Sequence, residues 1–100
     1  KQRFVPISRY PGIERDIAVI VNSEISMEKV RSIILKAPLA REVRLFDVYS
    51  GPPLPAGKKS LAFSVLYQSN EKTLTDEEVN RGQEKVLRDL ERQVGAALRS

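Results

Sequence analysis

Apolar residues recur along this chain with two different periods. In the run IERDIAVIV, Ile13 to Val21, the residues Ile17, Val19 and Val21 stand at every second position. That is the period of a half-buried strand, and β-branched residues dominate it. Met27 to Lys36 changes to helical spacing: Met27, Val30, Ile33 and Ile34 share a stripe, Ser26 stands at the N-cap, and Pro38 stops the run. Arg41 to Ser50 alternates again. Its apolar residues form two pairs, Val43 with Leu45 and Phe46 with Val48, which fall on opposite faces of a regular strand. Lys59 to Gln68 is the clearest strand, with Leu61, Phe63, Val65 and Tyr67 on one face and Ser60, Ala62, Ser64 and Leu66 on the other. Thr75 opens a second helix through TDEE, which supplies an N-cap, three first-turn acids and a capping box from Thr75 to Glu78. Val79, Val86, Leu87 and Leu90 form its apolar stripe, Gly95 ends it, and Ala96 to Arg99 has room for a short last strand.

Strand, helix, strand, strand, helix, strand is the order of two split βαβ halves. It predicts a ferredoxin-like α+β fold: a four-stranded antiparallel sheet with two helices on one face and the other face open. The connection through Gly51, Pro52, Pro53, Pro55 and Gly57 reads as a stiff loop, and Lys1 to Gly12, with Pro6 and Pro11, reads as irregular. One hundred residues make a single domain, residues 1–100, large enough for one core. Lys1 is no initiator Met and opens no secretory signal, so the expectation is a fragment of a longer chain.

Alternation assigns the open face. Leu61, Phe63, Val65 and Tyr67 point to the helices, which leaves Ser60, Ala62 and Ser64 outside. With Phe46 and Val48 as the core pair of the second strand, Asp47 and Tyr49 point out; in the first strand Asp16, Ala18 and Ile20 do. Arg9, Arg15, Lys58 and Lys59 are expected near the edges of this face. The result is a floor of small residues carrying carboxylates and one aromatic ring, with a basic rim.

Composition narrows the chemistry. The chain has no histidine and no cysteine, which removes the commonest general base, the commonest metal ligands and any disulfide. An excess of 17 Lys and Arg over 13 Asp and Glu gives +4, which favours a polyanionic partner without specifying one. No uninterrupted apolar run reaches the roughly 20 residues of a membrane span, so no membrane partner is expected. Single-stranded RNA suits such a face: a base stacks on Tyr49, Asp47 and Asp16 accept from base N–H groups, serines add hydrogen bonds, and the rim holds phosphates. On pattern alone an ordinary solvated sheet face fits somewhat better.

Five stretches in order, FVPISRYPGIERDIAVIV, LFDVYSG, PLPAGKKSLAF, TLTDEEV and GAALR, resemble the C-terminal ferredoxin-fold anticodon-binding domain of the bacterial phenylalanyl-tRNA synthetase β subunit, over Phe4 to Arg99. The resemblance implies a cytoplasmic module that recognises the anticodon loop of phenylalanine tRNA. It implies as partners the rest of the β subunit and an α subunit, in an α2β2 parent. It also implies that this domain is not itself an enzyme and holds no cofactor, the parent using ATP and magnesium in another subunit. The anticodon contacts carry over to Asp47 and Tyr49 of FDVY and Ser60 of KSLAF, with Ala18, Ala62 and Ser64 lining the same face and Asp16 matching RDIA.

Other functions are known on this topology, and fold alone does not separate them. A regulatory small-molecule or protein-interaction module would be the alternative, yet such modules often use glycine-rich loops and the five glycines here do not cluster. An acylphosphatase-like enzyme needs an anion-cradling loop with an arginine after the first strand, where this chain has Val21, Asn22, Ser23 and Glu24.

Overall fold

A computed structural model describes residues 10–99, so the expectations for residues 1–9, Arg9 among them, lie outside the described residues. The order is β1 (Ile13–Asn22), α1 (Met27–Leu35), β2 (Ala40–Tyr49), β3 (Lys58–Tyr67), α2 (Asp76–Val94) and β4 (Ala97–Leu98). The strands form one antiparallel sheet in the order β2-β3-β1-β4, the ferredoxin-like arrangement that alternation and capping predict.

Both helices cover one face of this sheet because each element turns its apolar positions the same way. Ile17, Val19 and Val21 of β1 and Leu61, Phe63, Val65 and Tyr67 of β3 are buried with Val30, Ile33 and Ile34 of α1 and Val79, Val86 and Leu90 of α2. Among the described residues of this hydrophobic cluster Tyr67 is the one with a polar end. Its hydroxyl donates to Gln83 Oε1 at 2.6 Å, and burial pushes its pKa up to about 12, with Arg15 opposing.

The β2 strand departs from regular alternation. In its pairing with β3, Leu45 lies opposite Phe63 and Val48 opposite Leu61, so three steps on β2 match two on β3 and Phe46 is the extra residue of a β-bulge. This corrects the expectation that Phe46 and Val48 form the core pair: they are 50% and 53% exposed. Leu45 takes the place next to the core instead. The bulge resets the alternation, so Asp47 still pairs with Ala62, and Tyr49 with Ser60, on the open face. A second irregularity lies between Ala40 and Glu42.

Helix ends follow the sequence signals closely. Ser26 Oγ accepts the Lys29 amide at 3.1 Å, and Gly95 closes α2 in the left-handed region at φ 68°. Thr75 Oγ1 accepts the Glu78 amide at 3.2 Å, while Glu78 Oε1 accepts the Thr75 amide at 2.9 Å. Buried Leu74 and Val79 flank this cap in the positions of a hydrophobic staple.

Lys72 pairs with the Glu78 carboxylate, and that bond, with those from Thr75, holds the Glu78 pKa at about 2, below its ordinary 4.5. A carboxyl depressed in the folded state stabilises it above the ordinary value and stops doing so as pH falls through the depressed one. The Glu78→Gln variant keeps a capping side chain and loses only the charge. Its deficit in Tm against the parent is expected to be full above pH 4.5 and to vanish as pH falls through about 2, as read by circular dichroism melts. A deficit independent of pH would mean that the charge does not matter.

Candidate nucleic-acid interface

Register defines the open face as rows of side chains across the sheet. One row runs Tyr49, Ser60, Ile20 and Ala97; the next Asp47, Ala62 and Ala18; the third Arg44, Ser64 and Asp16. The middle row is nearly flat, since two alanines occupy the two central strands there. Asp47 and Asp16 are exposed, and no ion pair joins either to Arg44 or Arg15 among the described residues.

Arg99 crosses this floor. Its amide donates to the Ala18 carbonyl at 2.8 Å, which sets it just beyond β4. The guanidinium then donates to Ser60 Oγ at 3.2 Å and lies 5.6 Å from the centroid of the Tyr49 ring. From β4 to β2 is three strand spacings, about 14 Å. An arginine side chain covers only part of that span, so Arg99 and Tyr49 meet between the two edge strands, where Ala18 and Ala62 leave the height free. The contact is a cation–π pair with a hydrogen bond beneath it.

Tyr49 is held from its other end as well. Its hydroxyl donates to the Pro52 carbonyl, and Gly51, at φ 109°, turns the chain to bring that carbonyl back. The Leu54 amide closes the same turn on the Gly51 carbonyl at 2.9 Å. The proline-rich loop therefore fixes the ring's orientation. Register places Ser60 on the open side, and it is only 2% exposed because it lies under Arg99.

The basic rim is partly relocated. Arg15 pairs in register with Val65 on the helix-facing side, where it stands 3.5 Å from Asp76 and 3.5 Å from Asn80 Oδ1. It does not border the open face, contrary to the expectation. The cause is parity, since Arg15 is two residues before core residue Ile17. Lys59 likewise shares the parity of Leu61, while Lys58 has the parity of Ser60 and donates to Asn22 Oδ1 at 2.7 Å. Asp16, Ala18, Asp47, Tyr49, Ser60, Ala62 and Ser64 do come together on one face. Arg99 and Arg44, not named among the sequence candidates, stand on it too. A common parity of Ala97 and Arg99 was visible in the sequence, but only the β1–β4 register shows which face they share.

Among the described residues no group of three His, Cys, Asp or Glu side chains could hold a metal ion, and no helix is long and apolar enough to cross a membrane. An aromatic ring, an acceptor, a hydroxyl and two guanidinium groups over a small-residue floor are suited to binding a flat, polar, anionic polymer.

Comparison with known proteins agrees with the ferredoxin-like fold. The family model of the ferredoxin-fold anticodon binding domain matches residues 8–99, and the chain belongs to that family. It is 48% identical to the phenylalanine–tRNA ligase beta subunit of Moorella thermoacetica and 50% identical to that of Geobacillus kaustophilus, each over 97% of this chain and 12% of the relative. The corresponding subunit of Lactiplantibacillus plantarum is 43% identical over 99% of the chain. This chain thus spans about 12% of the length of these relatives.

The Arg99–Tyr49 contact makes a direct prediction. A double-mutant cycle with Arg99→Gln and Tyr49→Leu, followed by urea unfolding, is expected to give a favourable coupling of about 0.5–1 kcal/mol, the range for an exposed cation–π pair. Additive losses would mean that the ring and the guanidinium do not attract each other in solution.

Proposed function

We propose that this chain recognises the anticodon loop of phenylalanine tRNA through its open sheet face, as one domain of a larger β subunit. The observation that carries this reading is the convergence of Tyr49, Asp47, Ser60 and Arg99 over the floor of Ala18 and Ala62. Family membership and the names of the relatives support it.

The recognition needs no bond to be made or broken. The first anticodon base, a guanine, stacks on the Tyr49 ring, and Asp47 accepts from the N1–H and N2–H of its Watson–Crick edge. A base presenting only acceptors there is repelled by the carboxylate, so this one contact both binds and discriminates. Arg99 covers the ring in the free domain, and an entering base displaces it. The guanidinium, released together with the Ser60 hydroxyl, then has donors for a phosphate or for the base. Ser60 bonds a neighbouring base or ribose, and Lys58 with Arg9 adds the salt-sensitive phosphate term. Adenylation and aminoacyl transfer, with their ATP and magnesium, belong to the α subunit of an α2β2 parent in the cytoplasm.

A titration of the chain with a phenylalanine anticodon stem-loop, followed by NMR amide shifts at low salt, tests this. Shifts are expected at Asp47, Tyr49, Ser60 and Ala62, and a first-base G-to-C loop is expected to bind more weakly. Tyr49→Ala is expected to weaken binding about 5- to 150-fold, the measure of one base–aromatic stack. Asp47→Asn is expected to narrow the gap between the two loops. Shifts confined to Lys and Arg positions, with both loops bound alike, would reduce the domain to electrostatic docking and overturn the reading.

A further inference from the structure

The bulge in β2 leaves an aromatic ring that the single-base reading does not use. Phe46 is half exposed although phenylalanine is among the residues most often buried, and it is the extra residue opposite the Ala62 position that Asp47 also faces. Two residues earlier Arg44 stands on the same face, exposed, opposite Ser64, with no ion pair or side-chain hydrogen bond among the described residues. A bulge sets two residues against one partner, so Phe46 stands with Asp47 at the Ala62 position, and this edge strand carries Arg44, Phe46, Asp47 and Tyr49 along one short stretch.

We propose that Phe46 and Arg44 form a second nucleotide subsite, in which Phe46 stacks on a further base of the same loop and Arg44 takes a phosphate. This rests on the anticodon-loop reading. Three residues of strand separate the two rings by about 10 Å at most. Stacked neighbours lie about 3.4 Å apart along one strand, so the two rings hold bases splayed away from each other, as single-stranded RNA permits. Continuity with the Tyr49 site decides the occupant. The ring shares a bulge with Asp47, which the anticodon reading already assigns to a base edge, and Arg44, two residues before the ring, is an exposed cation suited to a phosphate. An isolated ring on a surface meant for protein would need neither.

The test is the affinity of the 100-residue chain for the phenylalanine anticodon stem-loop, compared among Phe46→Ala, Phe46→Tyr, Arg44→Gln and Tyr49→Ala, with circular dichroism confirming the fold of each. Phe46→Ala is expected to weaken binding about 5- to 150-fold and Phe46→Tyr to restore it, since any ring stacks. A loop made abasic at one anticodon position other than the first is expected to bind parent and Phe46→Ala equally. Arg44→Gln is expected to weaken binding to all loops alike and to lower the salt slope by about one. Unchanged affinity in Phe46→Ala while Tyr49→Ala binds weakly would overturn the subsite and leave the anticodon reading intact. Unchanged affinity in both would overturn both.

Discussion

Leu45 and Val48 both take helix-facing places on β2, three residues apart, opposite Phe63 and Leu61, which are two apart. A regular antiparallel pair cannot meet that condition, because its side chains alternate strictly on both strands. The extra residue is accommodated as a bulge on the edge strand, where one irregular step disturbs pairing on one side only. The placing of Asp47 and Tyr49 on the open face depends on this. Had the strand stayed regular from Val43, Asp47 would face the helices and Phe46 alone would stand beside Ala62.

The floor is the second requirement. Ala18 and Ala62 lie side by side in the two central strands, and a long side chain crosses them from β4 to reach Ser60 and the Tyr49 ring. Larger residues there would fill the height that Arg99 uses. The same height would admit a base, so the guanidinium stands in the space of the ligand it is proposed to yield to. The attraction between cation and ring is modest, about 0.5–1 kcal/mol when exposed, against about 1–3 kcal/mol for a base stacked on an aromatic ring. On these magnitudes a base can displace the guanidinium.

The scaffold beneath is conventional in its energetics. The core joins two central strands to two amphipathic helices, and the caps at Ser26, Thr75 and Gly95 close the helix ends. The ion pairs among the described residues lie on this scaffold. Lys72 and Glu78 secure a helix start, Arg15 reaches toward Asp76 on α2, and Lys85 and Arg92 both meet Asp89. By contrast Asp16, Arg44 and Asp47 on the open face have no ion pair among the described residues.

The amino-acid sequence alone determined the element order, both helix caps, the core of β1 and β3 and the small residues of the open face. These are local or periodic properties, set by side-chain spacing and by turn residues. The sequence also showed that apolar residues change parity between Leu45 and Phe46, but not which pair would be buried. That choice depends on what lies opposite, and Phe63 and Leu61 belong to another strand. Arg99 shows the same limit: its parity was legible, while its reach to Ser60 and Tyr49 required the β1–β4 register and an empty floor. Arg15 looked like a rim cation until the sheet turned it toward α2. Contacts between residues distant in the chain are decided by register and packing, and no local pattern encodes them.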